Sequence, residues 1–485
     1  MSTAGPTMER SCKALRRGHD MTPRTSVPDA ALTGLRSGFA GEVHVPGDPG
    51  YDEARTVFNS MIDRRPAMVA QCASEADVTK ALGVARDQEL EVAVRGGGHS
   101  VAGMALSEGG LVIDLRRMHA VDVDPGAGTA RVGGGAVMSD LDRATQPHSL
   151  ATTGGRVSTT GVGGFTLGGG SGWLERKFGL ACDNLLAADV VTADGISVHT
   201  SAYENPELFW ALHGGGGNFG VVTSLTLQLH ELPEMNIVML LFRPENGPEA
   251  VRAYRDVLES APDAAGGGCI YITGPPEEWV PEPLVGHLVC AVLLTYAGPR
   301  AEARDVAAPL LALEHEAEIV DTLPYADLQC MLDDPPGMRN YWSAEYLDGF
   351  PDEAAAAFCA GAATLPVPTN CQHVLFPLGG AVARGPADYP LPWRSSPWAV
   401  HPFGVWEDEV DDERVREWVR TVRAGMMPWA NGAVYLNFIG REGQERVMAG
   451  FGEEAYERLA RVKARYDPDN VFHLNHNVKP AVAMV

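Results

Sequence analysis

The chain has 485 residues, of which 45% are hydrophobic and 21% charged, so it can bury a large core and is not a disordered sequence. Its 38 basic and 63 acidic residues give a formal charge of −25, which repels polyanions and argues against a nucleic-acid partner. This length predicts two domains.

The cysteines and the hydropathy restrict the class of protein further. Eight cysteines, at positions 12, 72, 182, 269, 290, 330, 359 and 371, form no C-x-x-C pair and no zinc-type spacing. They predict free thiols, without a disulfide framework or a structural metal. No apolar run is long enough for a signal peptide or a membrane span, so we expect a soluble, cytoplasmic protein without a membrane partner.

The first clear elements are a helix and a strand. A capping box of Ser74 and Asp77 begins a predicted helix that ends near Asp87. Its apolar face consists of Val78, Leu82 and Ala85. An alternating strand of Leu90, Val92 and Val94 then leads into the glycine turn 96–98. The order is therefore helix, strand and glycine loop.

Further glycine clusters occur at 133–135, 161–164, 168–170 and 214–217, beside β-rich runs at 190–192 and 221–223. The segments between them differ in length, so they are not an internal repeat, and we expect the clusters to converge on one ligand. After residue 235 the clusters become sparse, which predicts a domain boundary there.

Two patterns stand out near the C-terminus. Tyr435 and Asn437 alternate with apolar residues and predict a strand that points both side chains to one face. The stripe of Tyr456, Leu459 and Val462 predicts a helix that ends at the Asp-Pro pair 467–468, followed by an extended tail.

The glycine turn and the residue after it suggest cofactor binding. Glycine N–H groups can approach a pyrophosphate closely because no Cβ intervenes, although a triple glycine by itself is more often a flexible loop. The spacing does not match the G-x-G-x-x-G of a nicotinamide site. His99 follows the turn directly, and its alternative role is that of a hydrogen-bonded loop histidine.

Residues 94–103 (VRGGGHSVAG) resemble the flavin-attachment motif of the vanillyl-alcohol-oxidase superfamily, in its berberine-bridge-enzyme-like branch. Three more stretches carry the resemblance in the family's order: 161–174 (GVGGFTLGGGSGWL), 176–180 (RKFGL) with 183–186 (DNLL), and 466–472 (YDPDNVF). It extends from about residue 40 to the C-terminus. The resemblance implies FAD bonded through its 8α methyl group to His99, which raises the flavin potential.

The implied fold is α+β, a two-domain PCMH-type FAD-binding fold with a substrate domain built on an antiparallel sheet. The expected division is a tail and leading segment at 1–40, an FAD-binding domain at 41–235, a substrate domain at 236–435 and a returning segment at 436–485. The expected cofactor-binding residues are Arg95, Gly96, Gly97, Gly98, His99, Ser100, Gly103, Thr153, Gly154, Thr160, Gly161, Gly164, Gly168, Gly172, Asn218, Gly220, Val222, Tyr435, Asn475 and Asn477.

A second flavin bond is not expected. Doubly linked members of the branch carry a cysteine in a C-P-x-x-G run, whereas this chain has VSTTG at 157–161. Val157 occupies the cysteine position and cannot form a thioether. Cys182, the nearest thiol in sequence, is interpreted as a buried small hydrophobe.

Tyr435 and Asn437 are the candidate catalytic residues. In the family this tyrosine faces flavin and substrate, and hydride transfer requires a group that takes the substrate's proton. The reference pKa of tyrosine, about 10, is too high for that role unless the site stabilises a phenolate or a water relays the proton. The alternatives are a tyrosine packed in a sheet, and turn-capping roles for Asn437, Asn475 and Asn477.

Two other segments have an open assignment. The run 214–222 resembles the family's loop at the adenine and ribose side, or is a flexible loop. Tyr341 and Trp342 could present an aromatic face to a ligand, although the pair is more typical of a core.

The resemblance implies an oxidase that transfers a hydride from a small alcohol, sugar, phenol or amine to FAD, with O2 as electron acceptor. Three alternatives remain at this point. They are an oxygenating or cyclising tailoring enzyme of secondary metabolism, a flavin-binding protein without turnover, and a nicotinamide-dependent dehydrogenase. The sequence gives no information on the oligomeric state.

Overall fold

Four β-sheets and fifteen α-helices make up residues 27–482, the part of the chain that the computed structural model describes. The predicted tail at 1–40 therefore lies largely outside the described residues. The helices are α1 (Asp29–Arg36), α2 (Tyr51–Ala54), α3 (Glu75–Asp87), α4 (Met138–Thr145), α5 (Val162–Leu167), α6 (Glu175–Phe178), α7 (Pro206–Ala211), α8 (Gly247–Ser260), α9 (Arg300–Leu311), α10 (Tyr325–Gln329), α11 (Asp352–Ala362), α12 (Ala381–Arg384), α13 (Asp412–Met426), α14 (Gln444–Phe451) and α15 (Glu453–Tyr466).

Three of the four sheets occupy the first half of the chain. The first consists of β1 (Glu42–His44), β2 (Met68–Gln71), β3 (Val92–Arg95) and β4 (Leu111–Asp114), in the order β1-β2-β4-β3. The following strands are β5 (Val121–Asp124), β6 (Thr129–Gly133), β7 (Leu150–Ala151), β8 (Leu185–Val191), β9 (Ser197–Ser201), β10 (Val221–Gln228) and β11 (His230–Glu231). A five-stranded antiparallel sheet has the order β5-β6-β10-β8-β9, and β7 pairs with β11.

The remaining strands form one large antiparallel sheet. They are β12 (Met235–Phe242), β13 (Ala265–Thr273), β14 (Leu288–Tyr296), β15 (Ala317–Leu323), β16 (Arg339–Trp342), β17 (Glu345–Leu347), β18 (Gln372–Pro377) and β19 (Trp398–Trp406). The order is β15-β12-β14-β13-β18-β19-β16, with β17 also on β19. An α+β fold with an antiparallel sheet in the second half is thus confirmed.

The two faces of the large sheet are covered differently. On one face, apolar side chains pack against α8, α9, α11 and α13 and form the largest core cluster, which includes Phe350, Phe358 and Trp418. On the other face, Val374, Phe376 and Ala399 pack against Tyr435 and Trp393. This second face is the one that meets the glycine loops, because Tyr435 also contacts residues 170 and 171.

Helix α3 confirms the sequence prediction, with one change at its cap. Ser74 accepts the N–H of Asp77, as a capping box requires. The Asp77 carboxylate, however, accepts the N–H groups of Ala40, Gly41 and Ala73 and not that of Ser74. A buried carboxylate needs several donors, and here it fixes the leading segment to the start of α3.

Other sequence expectations are met by the elements themselves. Strand β3 contains Val92 and Val94 of the predicted strand, β8 contains the first two residues of the run 190–192, and β10 contains the run 221–223. Helix α15 ends where Asp467 and Pro468 follow it. Seven cysteines are free thiols and Cys12 lies outside the described residues. Within residues 27–482, no helix has the length and apolar character required to cross a bilayer.

Candidate active site

Two glycine loops touch each other backbone to backbone. A Cβ on Gly97 would lie 2.4 Å from the nitrogen of Gly161, and a Cβ on Gly161 would lie 2.4 Å from the nitrogen of Gly97. Gly98 has φ +75, a left-handed conformation that glycine adopts without strain. The N–H groups of Gly97 and Gly98 donate to no acceptor within the described residues. The loops therefore leave backbone donors available for a ligand.

These loops open on a cavity of about 330 Å³ that extends between the first-half sheets and the large sheet. It is within the range of small-molecule and cofactor sites. Most of the predicted site residues line it: Gly96, Gly97, Gly98, His99, Ser100, Thr160, Gly161, Gly164, Gly168, Asn218, Gly220, Val222, Tyr435, Asn437 and Asn475. The distant glycine clusters of the sequence are thus brought together.

Six predicted residues do not line the cavity, and five of them support its walls. The guanidinium of Arg95 donates to the carbonyl of Ala54 beneath the glycine turn, and the hydroxyl of Thr153 donates to the carbonyl of Gly179. Three glycines stand at close contacts that a side chain would prevent, namely Gly103 against Ile62, Gly154 against Gln329 and Gly172 against Gly154. The sixth, Asn477, has a buried carbonyl oxygen with no hydrogen bond among the described residues.

His99 stands on the cavity wall between a hydroxyl and an aromatic ring. Its Nε2 is 2.7 Å from Thr159 Oγ1, and its ring stacks on Phe58 with centroids 3.8 Å apart. Burial lowers the pKa of His99 to about 4, so the imidazole is neutral near pH 7. A neutral, oriented imidazole has a lone pair available for bond formation.

Tyr435 lines the cavity beside the glycine loop 168–170 and is 1% exposed. Its oxygen accepts three hydrogen bonds, from Gly170 N at 3.0 Å, Ser171 N at 3.3 Å and Asn437 Nδ2 at 3.0 Å. Burial raises the pKa of Tyr435 above its ordinary value, and the three donors oppose that rise. Three donors on one oxygen complement a phenolate better than a neutral phenol.

The predicted strand at Tyr435–Phe438 is wrong. Residues Leu436–Phe438 form a 3₁₀ turn, in which the N–H of Phe438 donates to the carbonyl of Tyr435. Within the described residues no strand pairs with this segment, so the alternation of four residues does not produce a ladder. Tyr435 and Asn437 still meet, through the side-chain hydrogen bond rather than through a shared sheet face.

Asn437 is held by hydrogen bonds, in space that a neighbouring glycine leaves open. Its Nδ2 also donates to the carbonyl of Phe165 at 3.2 Å. A Cβ on Gly168 would lie 2.4 Å from Asn437 Oδ1, so the glycine provides the space that the amide occupies. The cluster 168–170 thus serves the amide and the phenol together.

Arg156 and Glu175 are functional candidates that sequence reasoning missed. Arg156 lines the cavity, and its Nη2 is 2.8 Å from Glu175 Oε1. Its Nη1 donates to the carbonyl and the hydroxyl of Ser171, whose N–H in turn donates to Tyr435. The sequence did contain one signal for Arg156, because it directly precedes Val157, which also lines the cavity.

The large sheet contributes aromatic rings to the cavity wall. Trp342 lines the cavity together with Phe376 and Phe403, so this tryptophan is not a plain core residue. Tyr341, its neighbour, lies on the other side and packs under the guanidinium of Arg420. Alternation along β16 separates the two side chains.

The C-terminal segment closes the cavity beside the run 214–222. Asn218 donates to the carbonyls of Gly215 and His476, and its own Oδ1 accepts the N–H of Val478. The buried Lys463 ammonium donates to the carbonyl of Asn218 and pairs with Asp467 at 2.5 Å. The run is therefore fixed by side chains and is not a flexible loop.

The lining fits a large, partly polar cofactor. A Cβ on Gly164, Gly216 or Gly217 would meet nothing within 4 Å, so these glycines border open space. The Oδ1 of Asn475 is buried on the lining without a partner among the described residues. Free backbone N–H groups and an unpaired amide oxygen suit a dinucleotide with a pyrophosphate.

A cofactor cavity between two β-rich units, with a histidine after a triglycine turn, defines an FAD-linked oxidoreductase. The model of the FAD binding domain family matches residues 66–201, and that of the berberine and berberine-like family matches residues 434–479. The (R)-6-hydroxynicotine oxidase of Paenarthrobacter nicotinovorans is 31% identical over 453 residues, which cover 91% of this chain and 97% of the relative.

The chain therefore belongs to the berberine-bridge-enzyme-like FAD-linked oxidases of the PCMH superfamily, and it is an FAD enzyme. The structure of 6-hydroxy-D-nicotine oxidase from Arthrobacter nicotinovorans superposes with a TM-score of 0.82 at 29% identity, over 91% of this chain and 98% of that one. The wild-type BBE-like 1 protein of Physcomitrella patens has the same fold, with a TM-score of 0.81 at 21% identity, over 93% of this chain and 99% of its own.

A sugar-oxidising relative matches a shorter part. The glucooligosaccharide oxidase of Sarocladium strictum is 37% identical over 201 residues, 40% of this chain and 39% of the relative.

Proposed function

We propose that this enzyme carries FAD covalently on His99 and oxidises a small alcohol, sugar, phenol or amine, with O2 as the final electron acceptor. The observation that carries the proposal is the convergence of three donors on Tyr435 at the cavity that His99 also lines. The (R)-6-hydroxynicotine oxidase and the glucooligosaccharide oxidase described above support a small organic substrate and O2 as acceptor.

The environment of His99 supports its role as the attachment point. Burial keeps the imidazole neutral, and the imidazole Nε2 forms a hydrogen bond with the hydroxyl of Thr159. With Nε2–H donating to the hydroxyl, Nδ1 retains the lone pair that forms the bond. Stacking on Phe58 fixes the plane of the ring, which gives the orientation that bond formation requires.

Val157 supports a single covalent bond. It lines the cavity at the position where doubly linked members have cysteine, and its side chain is a hydrocarbon. Cys182 is fully buried and packs with Leu180 and Leu391 in the core. The Cys182 thiol is unsuited to attachment because burial raises its pKa well above the ordinary value.

Bound FAD supplies the two-electron acceptor that takes the hydride. Tyr435, as a phenolate that its three donors stabilise, takes the proton of the substrate O–H or N–H as the hydride leaves and becomes the neutral phenol. Arg156 holds Ser171, one of those donors, at the correct distance. Asn437, which also lines the cavity, orients the phenol through its hydrogen bond to Tyr435.

The predicted domain division also remains a proposal. The large sheet begins at Met235, beside the expected boundary at 235, and Leu436 and later residues pack with the five-stranded sheet. Both observations support a cofactor domain of residues 41–235 and 436–485, with a substrate domain at 236–435. Five of the proposed cofactor residues then support the cavity walls without lining the cavity.

The attachment is tested by acid precipitation and by the mass of the peptide that contains His99. We expect the yellow colour to stay with wild-type protein and to be released from His99→Ala. Thr159→Val is the milder variant, since it removes the partner of Nε2 and should slow attachment without preventing it. An unmodified peptide mass in yellow, active wild-type enzyme would refute the covalent bond.

The reaction is tested by an anaerobic substrate screen that follows loss of the oxidised flavin absorbance. Tyr435→Phe should slow flavin reduction about a hundredfold, and an effect below threefold would remove Tyr435 as the base. With O2 present, one H2O2 for each substrate oxidised supports an oxidase. A lower yield with an oxygen atom in the product would instead favour an oxygenating enzyme.

A further inference from the structure

The side of the cavity that the large sheet provides is entirely aromatic. Among the described residues that line the cavity, the strands of this sheet contribute Trp342 from β16, Phe376 from β18 and Phe403 from β19. Trp342 and Phe403 are direct partners in the β16–β19 ladder, with ring centroids 5.0 Å apart. We call these three side chains the aromatic wall.

The aromatic wall lies next to the proposed attachment point and the proposed base. Trp342 contacts Phe58 at a centroid distance of 5.9 Å, and Phe58 stacks on His99. On the other flank, Phe403 is 6.1 Å from Phe438, whose ring is 4.7 Å from that of Tyr435. A substrate that reaches both the flavin and Tyr435 therefore contacts this wall.

The wall offers a substrate no free hydrogen-bonding group. Phenylalanine has none, and the Trp342 indole N–H already donates to Asn340 Oδ1 at 3.1 Å. On the same face of the sheet, His401 stacks on Phe403 with centroids 3.5 Å apart, but it is completely buried and does not line the cavity, so its ring nitrogens are not available to a substrate. Each substrate hydroxyl placed here would lose its water without gaining a partner, which costs about 1–3 kcal/mol.

The charge next to the wall is balanced. Arg156 is the one Lys, Arg, Asp or Glu among the described lining residues, and Glu175 pairs with it. Its guanidinium also lies over the ring of Phe376, 4.1 Å from the centroid. The wall consequently has no unpaired charge that would select a carboxylate or an ammonium group.

We propose that the substrate is a neutral, planar aryl compound in which one carbon next to the ring carries the oxidised hydroxyl or amine, and that it is not an oligosaccharide. This inference rests on the proposed oxidase function. The C–H of that carbon leaves as hydride to FAD, the O–H or N–H proton passes to Tyr435, and the product is the aryl carbonyl compound or imine. The ring packs on the aromatic wall, while its polar group faces Tyr435 and Asn437.

Binding and oxidation by the holoenzyme are measured with two sets of probes. The aryl set is benzyl alcohol, 4-hydroxybenzyl alcohol and 1-phenylethanol, and the polyol set is glucose and cellobiose. Calorimetry measures binding, and anaerobic absorbance measures flavin reduction. We expect at least one aryl probe to bind more tightly than both sugars, and tighter binding of a sugar overturns the inference, as does failure of every aryl probe to bind.

A variant pair tests the wall itself. Phe403→Leu removes a ring from the wall with little change in volume, and Phe350→Leu does the same on the opposite face of the sheet, in the helix-covered core. We expect the Kd of the bound aryl probe to rise about fivefold for Phe403→Leu and to stay unchanged for Phe350→Leu. Equal Kd values in wild type and Phe403→Leu would overturn the inference.

The two readouts separate this inference from the proposed function. An aryl probe that binds through Phe403 without bleaching the flavin supports the aromatic wall and contradicts oxidation of that class. A sugar that bleaches the flavin supports the oxidase and overturns the aryl class. Thermal unfolding of both leucine variants confirms that they are folded before either result is interpreted.

Discussion

The hydrogen bond from Asn437 to Tyr435 allows a quantitative test of the proposed base. Its length of 3.0 Å equals that of the bond from Gly170, and the bond from Ser171 is longer, at 3.3 Å. A hydrogen bond to a charged group contributes about 1.5–3 kcal/mol. One pKa unit corresponds to about 1.4 kcal/mol, so Asn437→Ala should raise the pKa of Tyr435 by about one to two units.

The direction of this pKa change determines what the assay should measure. A base works in its deprotonated form, and burial already raises the pKa of Tyr435, so the rate of flavin reduction should increase with pH in the wild type. In Asn437→Ala the same curve should move to higher pH by about one to two units. The measurement is the anaerobic, single-turnover rate of flavin reduction across pH.

Tyr346→Phe is the matched control for that experiment. Tyr346 is buried in the same cluster as Tyr435, and its hydroxyl has no hydrogen bond among the described residues. Its removal should leave the pH curve where it is. An unmoved curve in Asn437→Ala, or an equal displacement in Tyr346→Phe, would contradict the role given to the three donors.

Two further predictions concern stability. Burial lowers the pKa of His373 to about 3, so the unfolded chain binds its proton first as the pH falls below about 6.5, and stability is lost from there downward. His373→Phe should therefore reduce the loss of unfolding free energy between pH 7.5 and 5.0 by about 2 kcal/mol in urea titrations, and an identical loss would refute this. Lys463→Met leaves the carboxylate of Asp467 buried and unpaired, which should lower the unfolding free energy by about 3–5 kcal/mol. Arg458→Met on the same helix breaks surface ion pairs with Glu207 and Asp388 and a cation–π contact with Trp210, and it should cost about 1–2 kcal/mol, so similar losses in both variants would contradict the argument.

Local sequence signals predicted the parts of the fold that depend on neighbouring residues. The cap of α3, the end of α15 at the Asp-Pro pair and the strands beside the glycine clusters all follow from a few adjacent positions. The segment at Tyr435 shows the limit of this reasoning. Alternation over four residues indicates a strand only when a partner strand is present, and here the turn bond to the Tyr435 carbonyl takes its place.

The parts of the site that depend on distant contacts were not predictable. Arg156 gains its role from Ser171, Glu175 and Phe376, and the last of these is more than two hundred positions away. The motif similarly could not separate Gly97, which borders the cavity, from Gly172, which contacts Gly154 behind it. A motif preserves sequence order, whereas only the packed loops decide which glycine faces a ligand.

Burial favours the neutral form of both His99 and Tyr435, but it assists the proposed role of the histidine and opposes that of the tyrosine. It favours the neutral form of each, so it lowers the pKa of the histidine and raises that of the tyrosine. Neutrality leaves the imidazole with a nucleophilic lone pair, which the proposed flavin attachment requires without any further charge. For the phenol the same burial opposes proton removal, and the backbone donors of 170 and 171 with Asn437 act against it. Hydrogen-bond donors that offset burial are therefore needed at Tyr435 and not at His99. This explains why Gly168 leaves space for the Asn437 amide beside Tyr435, whereas the hydrogen-bond partner of His99 among the described residues is Thr159.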